Sequence, residues 1–377
     1  MASGSCAAAR TPSTPFMTRN IPHPGRAPKA ENSAASAFLP LAVCRTGGGF
    51  SMNKRERMLA VLDGLTPDRV PGAFWFHFGG ENAEGDKCIQ AHLDYYRECD
   101  LDFIKIMSDG LNYPLRVTIS KPEDWYEVRP LDRNDPFFTG TLERCEKLNN
   151  ALQGECCTFY NMFSPFNIIR ERDIFPQKAL IGSNDATVMA HLRENESAVM
   201  HALDVIGEDL AWISEQILLK TGVEGIYQSV QGAEVGRMNM WNYSRIVAPS
   251  ELKIIERANA VRDHNILHMC SWAGRRNHLL YWRDYPVRVR NWGIGIEGLS
   301  LTQAEGYFPR SSVLLGGLDN RRDHPLYSGD KETIQACVRE CLREMEGRPF
   351  ILGADCTVPA DIDRNHIRWA LEALREA

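Results

Sequence analysis

"NILHMCSWAG", residues 265–274, sets His268 and Cys270 one residue apart inside a short apolar run. The run reads as a strand, and strand alternation places Ile266, His268 and Cys270 on one face, with Leu267 and Met269 on the other. Its kind recurs along the chain. Short apolar or β-branched runs closed by turn signals also occur as "PGAFWFHF" (71–78), "DFIKIM" (102–107), "CTFYNMF" (157–163), "GIYQSV" (225–230), "VRVRNW" (287–292), "VLLGGLD" (313–319) and "FILGAD" (350–355). Helical stretches separate most of them, among them 196–220, which stops before Gly222, and 331–346, which stops before Gly347.

Strands alternating with helices build parallel sheets. Eight candidate strands, the crossovers between them and a last helix in "DRNHIRWALEALREA" match a closed (β/α)8 TIM barrel in a single α/β domain. A doubly wound open sheet is the competing architecture, but no strand is followed by a GxGxxG or GxxxxGK[ST] phosphate loop. Residues 108–155, rich in charge and proline, are expected to form an insertion after the second strand, a lid or excursion rather than a second domain.

Residues 1–51 are rich in Ala, Ser, Pro, Gly and Arg and lack sustained periodicity, so a disordered leader is expected there. Their composition admits an organelle transit peptide. "MNKRERMLAVLDG" reads as the beginning of the folded domain, 52–377, which favours an extended start upstream of Met52. The leader has five basic residues against Glu31 alone, whereas the remainder carries 38 basic and 48 acidic residues. That excess of acid disfavours a nucleic-acid partner. No apolar run is long enough to cross a bilayer, and the chain is expected to be soluble. Eleven scattered cysteines form no disulfide framework of the secreted kind, so a cytoplasmic location is expected.

In a barrel, reactive groups gather where strands end. Asp109 follows the second candidate strand, Tyr160 and Asn161 lie in the third, Gln228 and Gln231 at the fourth, Asn291 at the sixth, Asp319 at the seventh, and Cys356 just past the eighth. His268 and Cys270 can converge on one ion from one face of the fifth, and Cys356 supplies a third, soft ligand. Three protein ligands leave tetrahedral zinc one open position, the catalytic arrangement. Spacing alone leaves a second reading standing, because an H-x-C pair is common by chance and a buried cysteine is usually inert packing. His264 with His268 is another zinc pair, but it requires a helix here. His77 fits a core histidine as readily as a lumen ligand, and Arg288 and Arg290 read as a solvated or salt-bridged face.

From Met52 onward the sequence resembles the uroporphyrinogen decarboxylase superfamily. The segments that carry the resemblance are "MNKRERMLAVLDGLTPDRVP", "DFIKIMSDG", "HMCSWAG", "SLTQAEGYFPRSSVLLGGLDN" and "FILGADCTVPADIDRNHIRWALEAL". It implies a (β/α)8 barrel and one of two chemistries. Decarboxylases of the family hold a polycarboxylated tetrapyrrole with arginines after the first strand and face its pyrroles with an aspartate after the second. Cobalamin-dependent methyltransferases, such as methylcobamide:coenzyme M methyltransferase, hold zinc with a His-x-Cys pair and a distant Cys. Asp109 stands at the aspartate position. No arginine occurs between Arg69 and Arg97, however, and "GADCTVP" replaces the late decarboxylase histidine. Bidentate guanidinium partners for several carboxylates are therefore missing there.

His268, Cys270 and Cys356 match the methyltransferase ligands one by one. The resemblance thus implies zinc, a methyl group delivered by a methylcorrinoid on a partner corrinoid protein, and a small thiol that accepts it. Asp109 is the expected catalytic carboxylate, and Tyr160, Gln228 and Asn291 are expected to orient substrate. Tetrapyrrole decarboxylation and a non-catalytic corrinoid-binding barrel are the alternatives.

Overall fold

The computed structural model describes residues 51–171 and 184–377. The expected leader, residues 1–51, lies outside the described residues apart from Ser51.

Seven strands pair in parallel and in sequence order: β1 (Phe103–Ile106), β2 (Cys157–Phe163), β3 (Gly225–Val230), β4 (Ile266–Met269), β5 (Val289–Trp292), β6 (Val313–Leu318) and β7 (Phe350–Ala354). Nearly every residue of these strands is buried, because lumen and helix layer cover the two faces. Helices surround the sheet: α1 (Lys54–Leu62), α2 (Gly85–Cys99), α3 (Pro136–Leu152), α4 (Pro165–Glu171), α5 (Asn184–Glu194), α6 (Glu196–Lys220), α7 (Met240–Ile246), α8 (Ala248–Asn259), α9 (Ile294–Glu297), α10 (Pro325–Ser328), α11 (Lys331–Glu344) and α12 (Arg364–Glu376). Their starts follow from local chemistry. Asn53 and Glu56 form a capping box on α1, and Asn195, Asp330 and Asp363 accept backbone N–H bonds at the starts of α6, α11 and α12.

The run expected as a first strand, 71–78, is extended but forms only an isolated bridge, at Gly72. It nevertheless joins the two ends of the sheet. Leu352 N donates to Pro71 O at 2.9 Å and Ala73 N to Leu352 O at 3.1 Å, while Asp102 N, just before β1, donates to Gly72 O at 3.0 Å. Higher up, Val358 N reaches Trp75 O at 2.9 Å. A side chain at Gly72 would meet Leu374 Cδ1 at 2.6 Å and Leu371 Cδ2 at 2.9 Å, so the glycine lets α12 lie directly on the seam. Below it, the buried Asp102 accepts from Arg57 Nη1 at 2.9 Å, from both Arg69 Nη atoms at 2.8 Å, and from Gly72 N at 2.8 Å. One carboxylate thereby ties α1, the seam and β1 together. The barrel closes through the seam, as an eight-stave (β/α)8 architecture requires.

The expected insertion after the second candidate strand is shorter than 108–155. Asp135 caps, and Pro136 begins, an ordinary crossover helix, α3, which composition alone had merged with the charged stretch before it. Residues 108–135 are the true excursion. They dock on α6 through the buried Asp209, which accepts from Tyr113 Oη (2.8 Å), Leu131 N (2.8 Å) and Arg133 Nη1 (3.0 Å). Among the described residues, no helix is long and apolar enough to cross a membrane.

Candidate metal centre

Strand register decides which side chains share the lumen. Parallel partners point the same way, so Lys105 on β1, Asn161 on β2, Tyr227 and Ser229 on β3, His268 on β4 and Asn291 on β5 face inward together. Ring contacts agree with this: Tyr227 lies 5.3 Å from Trp75 and 5.9 Å from His268, between ring centroids.

At the C-terminal mouth, β4 continues one residue beyond its regular ladder through Cys270 N to Val230 O at 3.1 Å, which holds Cys270 beside β3. Cys356 stands between two backbone anchors, Asp355 N to Leu318 O and Val358 N to Trp75 O, each 2.9 Å. The outcome is that one donor atom each from His268, Cys270 and Cys356 lie within 4.8 Å of one another. Donors at about 2.0 to 2.3 Å from a tetrahedral zinc lie about 3.3 to 3.8 Å apart, so side chains within 4.8 Å of one another reach such an ion by closing at most about 1.5 Å. His268 is buried, and both cysteines are partly open to the mouth.

The proton on His268 is fixed by its neighbours. Asn291 Nδ2 donates to Leu315 O at 3.0 Å and to Ala354 O at 3.2 Å, which orients the amide so that Oδ1 is the acceptor. Oδ1 receives Tyr227 Oη at 2.7 Å and His268 Nδ1 at 2.5 Å. Nδ1 therefore carries a hydrogen, and Nε2 is turned toward Cys356 Sγ at 3.3 Å. Nε2 is thereby the ring atom presented as a ligand, and Asn291 is the kind of outer partner that orients metal-ligating imidazoles. The Cys356 thiol is held well below the usual thiol range, chiefly by its hydrogen bond with Cys270 and then, against burial, by His268 and Lys105. A borderline-soft N/S/S donor set with one thiol already biased toward thiolate suits zinc.

The loop after Cys270 is pinned by Glu297. Its carboxylate accepts from Ser271 Oγ, Asn277 N and Asn277 Nδ2, each 2.7 Å, and Asn277 Nδ2 also donates to Cys270 O at 3.1 Å.

The other residues singled out in the sequence fall in different places. Asn291 belongs to the centre as the anchor of His268. Asp109 sits at the mouth, accepting from Phe78 N at 2.8 Å and paired with His77 Nδ1 at 2.7 Å, so His77 and Asp109 serve each other across the seam. Tyr160 and Gln228, expected to orient substrate, lie on the opposite parity from the lumen residues. Tyr160 Oη meets Thr141 Oγ1 of α3 at 3.3 Å, and Gln228 Nε2 donates to Glu251 O of α8 at 3.3 Å. His264 is at the far end of β4, bound to Glu224 Oε1 at 2.9 Å, and β4 is a strand, which removes the helical His264–His268 pair. Arg288 bonds Asp263 at 2.9 Å, as a salt-bridged face predicts. Arg290 departs from that expectation: it is buried, donating to Ser312 Oγ and to the carbonyls of Trp282, Arg283 and Tyr285. Three of these lumen residues are not among the sequence-based candidates: Lys105, Tyr227 and Ser229. A lysine at an alternate position inside the apolar run "DFIKIM" was the available signal.

The sequence matches the family described as uroporphyrinogen decarboxylase (URO-D) over residues 53–377. A search of curated protein sequences finds no match. Among solved structures, the chain is similar to a methyltransferase from Methanosarcina mazei, with 15% identity, TM-score 0.64, and coverage of 86% of this chain and 99% of that one. It is also similar to a B12-independent methionine synthase from Shewanella sp. W3-18-1, in complex with selenomethionine, with 12% identity, TM-score 0.51, and coverage of 82% and 92%. At such identities these likenesses speak for the barrel fold.

Proposed function

The chain belongs to the uroporphyrinogen decarboxylase family, and from that premise we propose that it is a zinc-dependent methyltransferase carrying a methyl group from a methylcorrinoid to a small thiol. The observation that carries this reading is the His268–Cys270–Cys356 cluster at the barrel mouth, with His268 Nε2 freed by Asn291. His268, Cys270 and Cys356 would hold zinc, which would supply a Lewis acid able to keep a thiol as thiolate near neutral pH. The chain's own part is arrangement. Asn291 fixes the imidazole, Glu297 fixes the loop beside Cys270, and Asp109, with His77, lines the approach at the mouth. The methylcorrinoid, as the donor substrate, would give up its methyl group to the thiolate sulfur, and its cobalt would keep the electron pair of the broken carbon–cobalt bond. A similar barrel in a methyltransferase from Methanosarcina mazei is consistent with this chemistry.

Decarboxylation, the family's other chemistry, has less support. Arg144, near the mouth, spends its guanidinium on the carbonyls of Met107, Asp109 and Ala83, and residues 70–96 hold no arginine at all. Both oxygens of Asp109 are already engaged by the seam. The test is incubation of purified protein with methylcobalamin and a small thiol, following loss of the methylcobalamin absorbance and formation of the thioether. Turnover that depends on Cys356 is the expected result. Loss of carboxyl groups from uroporphyrinogen instead, or tight corrinoid binding with no reaction, would overturn it.

A further inference from the structure

Lys105 is buried, and among the described residues no carboxylate is in ion-pair contact with it. It projects from β1 into the lumen, where Nζ lies 3.8 Å from the ring centroid of Tyr227 and 5.1 Å from that of Trp75. Among the described residues it makes no hydrogen bond and no ion pair. A buried ammonium is normally retained only where an anion answers it. Beside it, the Trp75 indole N–H is also buried without an acceptor. Burial pushes the Lys105 ammonium down to about 7, and the anionic groups that oppose this are Cys356, then Cys270, then Asp109. Asp109 also accepts from His77 and Phe78 N, and the Tyr227 ring that carries Nζ lies 5.9 Å from His268 between ring centroids, which sets Lys105 beside the proposed ligands.

Charge balance gives that arrangement a purpose. A divalent zinc with two thiolates and a neutral imidazole has no net charge, so it neither repels nor needs a cation. Addition of a third thiolate makes the centre anionic, and a desolvated ammonium nearby then stabilises it strongly. Tyr227 links the two physically, carrying Lys105 on its ring and hydrogen-bonding the Asn291 that holds His268.

We propose that Lys105 is a positioning residue that supplies the counter-charge of the His268–Cys270–Cys356 centre, so that the centre accepts an anionic thiolate in preference to a neutral ligand. This rests on the zinc reading above and adds the basis of its ligand selectivity.

The experiment uses full-length protein loaded with cobalt(II), titrated with mercaptoethanol and separately with imidazole, and read by the sulfur-to-cobalt charge-transfer and ligand-field absorption. Lys105→Met should bind cobalt with wild-type stoichiometry yet lose thiol affinity by about tenfold or more, with imidazole affinity unchanged. Lys105→Arg should recover most of the loss. Because methionine suits the apolar surroundings, the Tm of Lys105→Met should equal or exceed that of the wild type. Unchanged thiol affinity, or an equal loss for thiol and imidazole, would overturn the inference. So would a lowered Tm with loss of cobalt, which would make Lys105 a packing residue. A wild-type protein that takes up neither cobalt nor zinc refutes the metal reading itself, whereas full metal binding with Lys105-independent thiol affinity removes this inference alone.

Discussion

Asn291 shows how little of a site its ligands explain. Its amide nitrogen is committed to two strand carbonyls, and its oxygen therefore requires a hydrogen on Nδ1 of His268 and turns Nε2 toward the cysteines. Asn291→Leu removes that constraint and leaves Tyr227 Oη without its acceptor. Zinc affinity, measured by chelator competition, should fall about 10- to 100-fold while the fold persists. His264 gives a separate, pH-dependent effect at the other end of β4. Its hydrogen bond to Glu224 raises its pKa above the usual histidine value, with Asp63 adding to this. A raised folded pKa means stabilisation fully present below about pH 6.5 and lost as pH rises through the folded value. Thermal melts of wild type and His264→Gln should therefore differ most near pH 6 and converge toward pH 9. A gap that widened with pH would contradict that assignment. The three proposed ligands were legible as single letters because histidine and cysteine carry their chemistry with them. The role of Asn291 was not, since it depends on which carbonyls lie beside the amide across two neighbouring strands.

Strand parity explains why some expected site residues face the lumen and others do not. In β2 and β3, Asn161 and Tyr227 turn inward, so their neighbours Tyr160 and Gln228 must turn toward the helices. The runs themselves were visible in the sequence, but their phase was not, because a strand buried on both faces shows no polar alternation. The seam had the reverse problem. "PGAFWFHF" looks like a strand, yet it pairs regularly only around Gly72, and what makes it a stave is its hydrogen bonding to Leu352 and Asp102. Gly72→Ala should force α12 away from this contact and destabilise the protein by about 1 to 3 kcal/mol in denaturant melts. Asp102→Ala should cost about 3 kcal/mol or more, because it strands Arg57 and Arg69 around a buried gap. If either variant melted like the wild type, closure through the seam would not be the constraint described here.

At the scale of the whole molecule, the barrel brings together residues 88 positions apart, His268 and Cys356, by placing the ends of β4 and β7 at one mouth. Eight runs alternating with helices were enough to expect that convergence, and the family's ligand pattern sharpened it. The charged stretch after β1 misled on extent alone, since its proline also starts the crossover helix α3. On the proposed reading, the same convergence would make metal binding a property of the folded chain, since deletion of one ligand would open the centre. The most direct measurement is the zinc content of purified protein beside that of Cys356→Ala. A stoichiometric zinc in the wild type that is lost from the folded variant is the predicted result; a wild-type protein free of zinc when purified and refilled with it, or a variant that retains it in full, would contradict the metal centre.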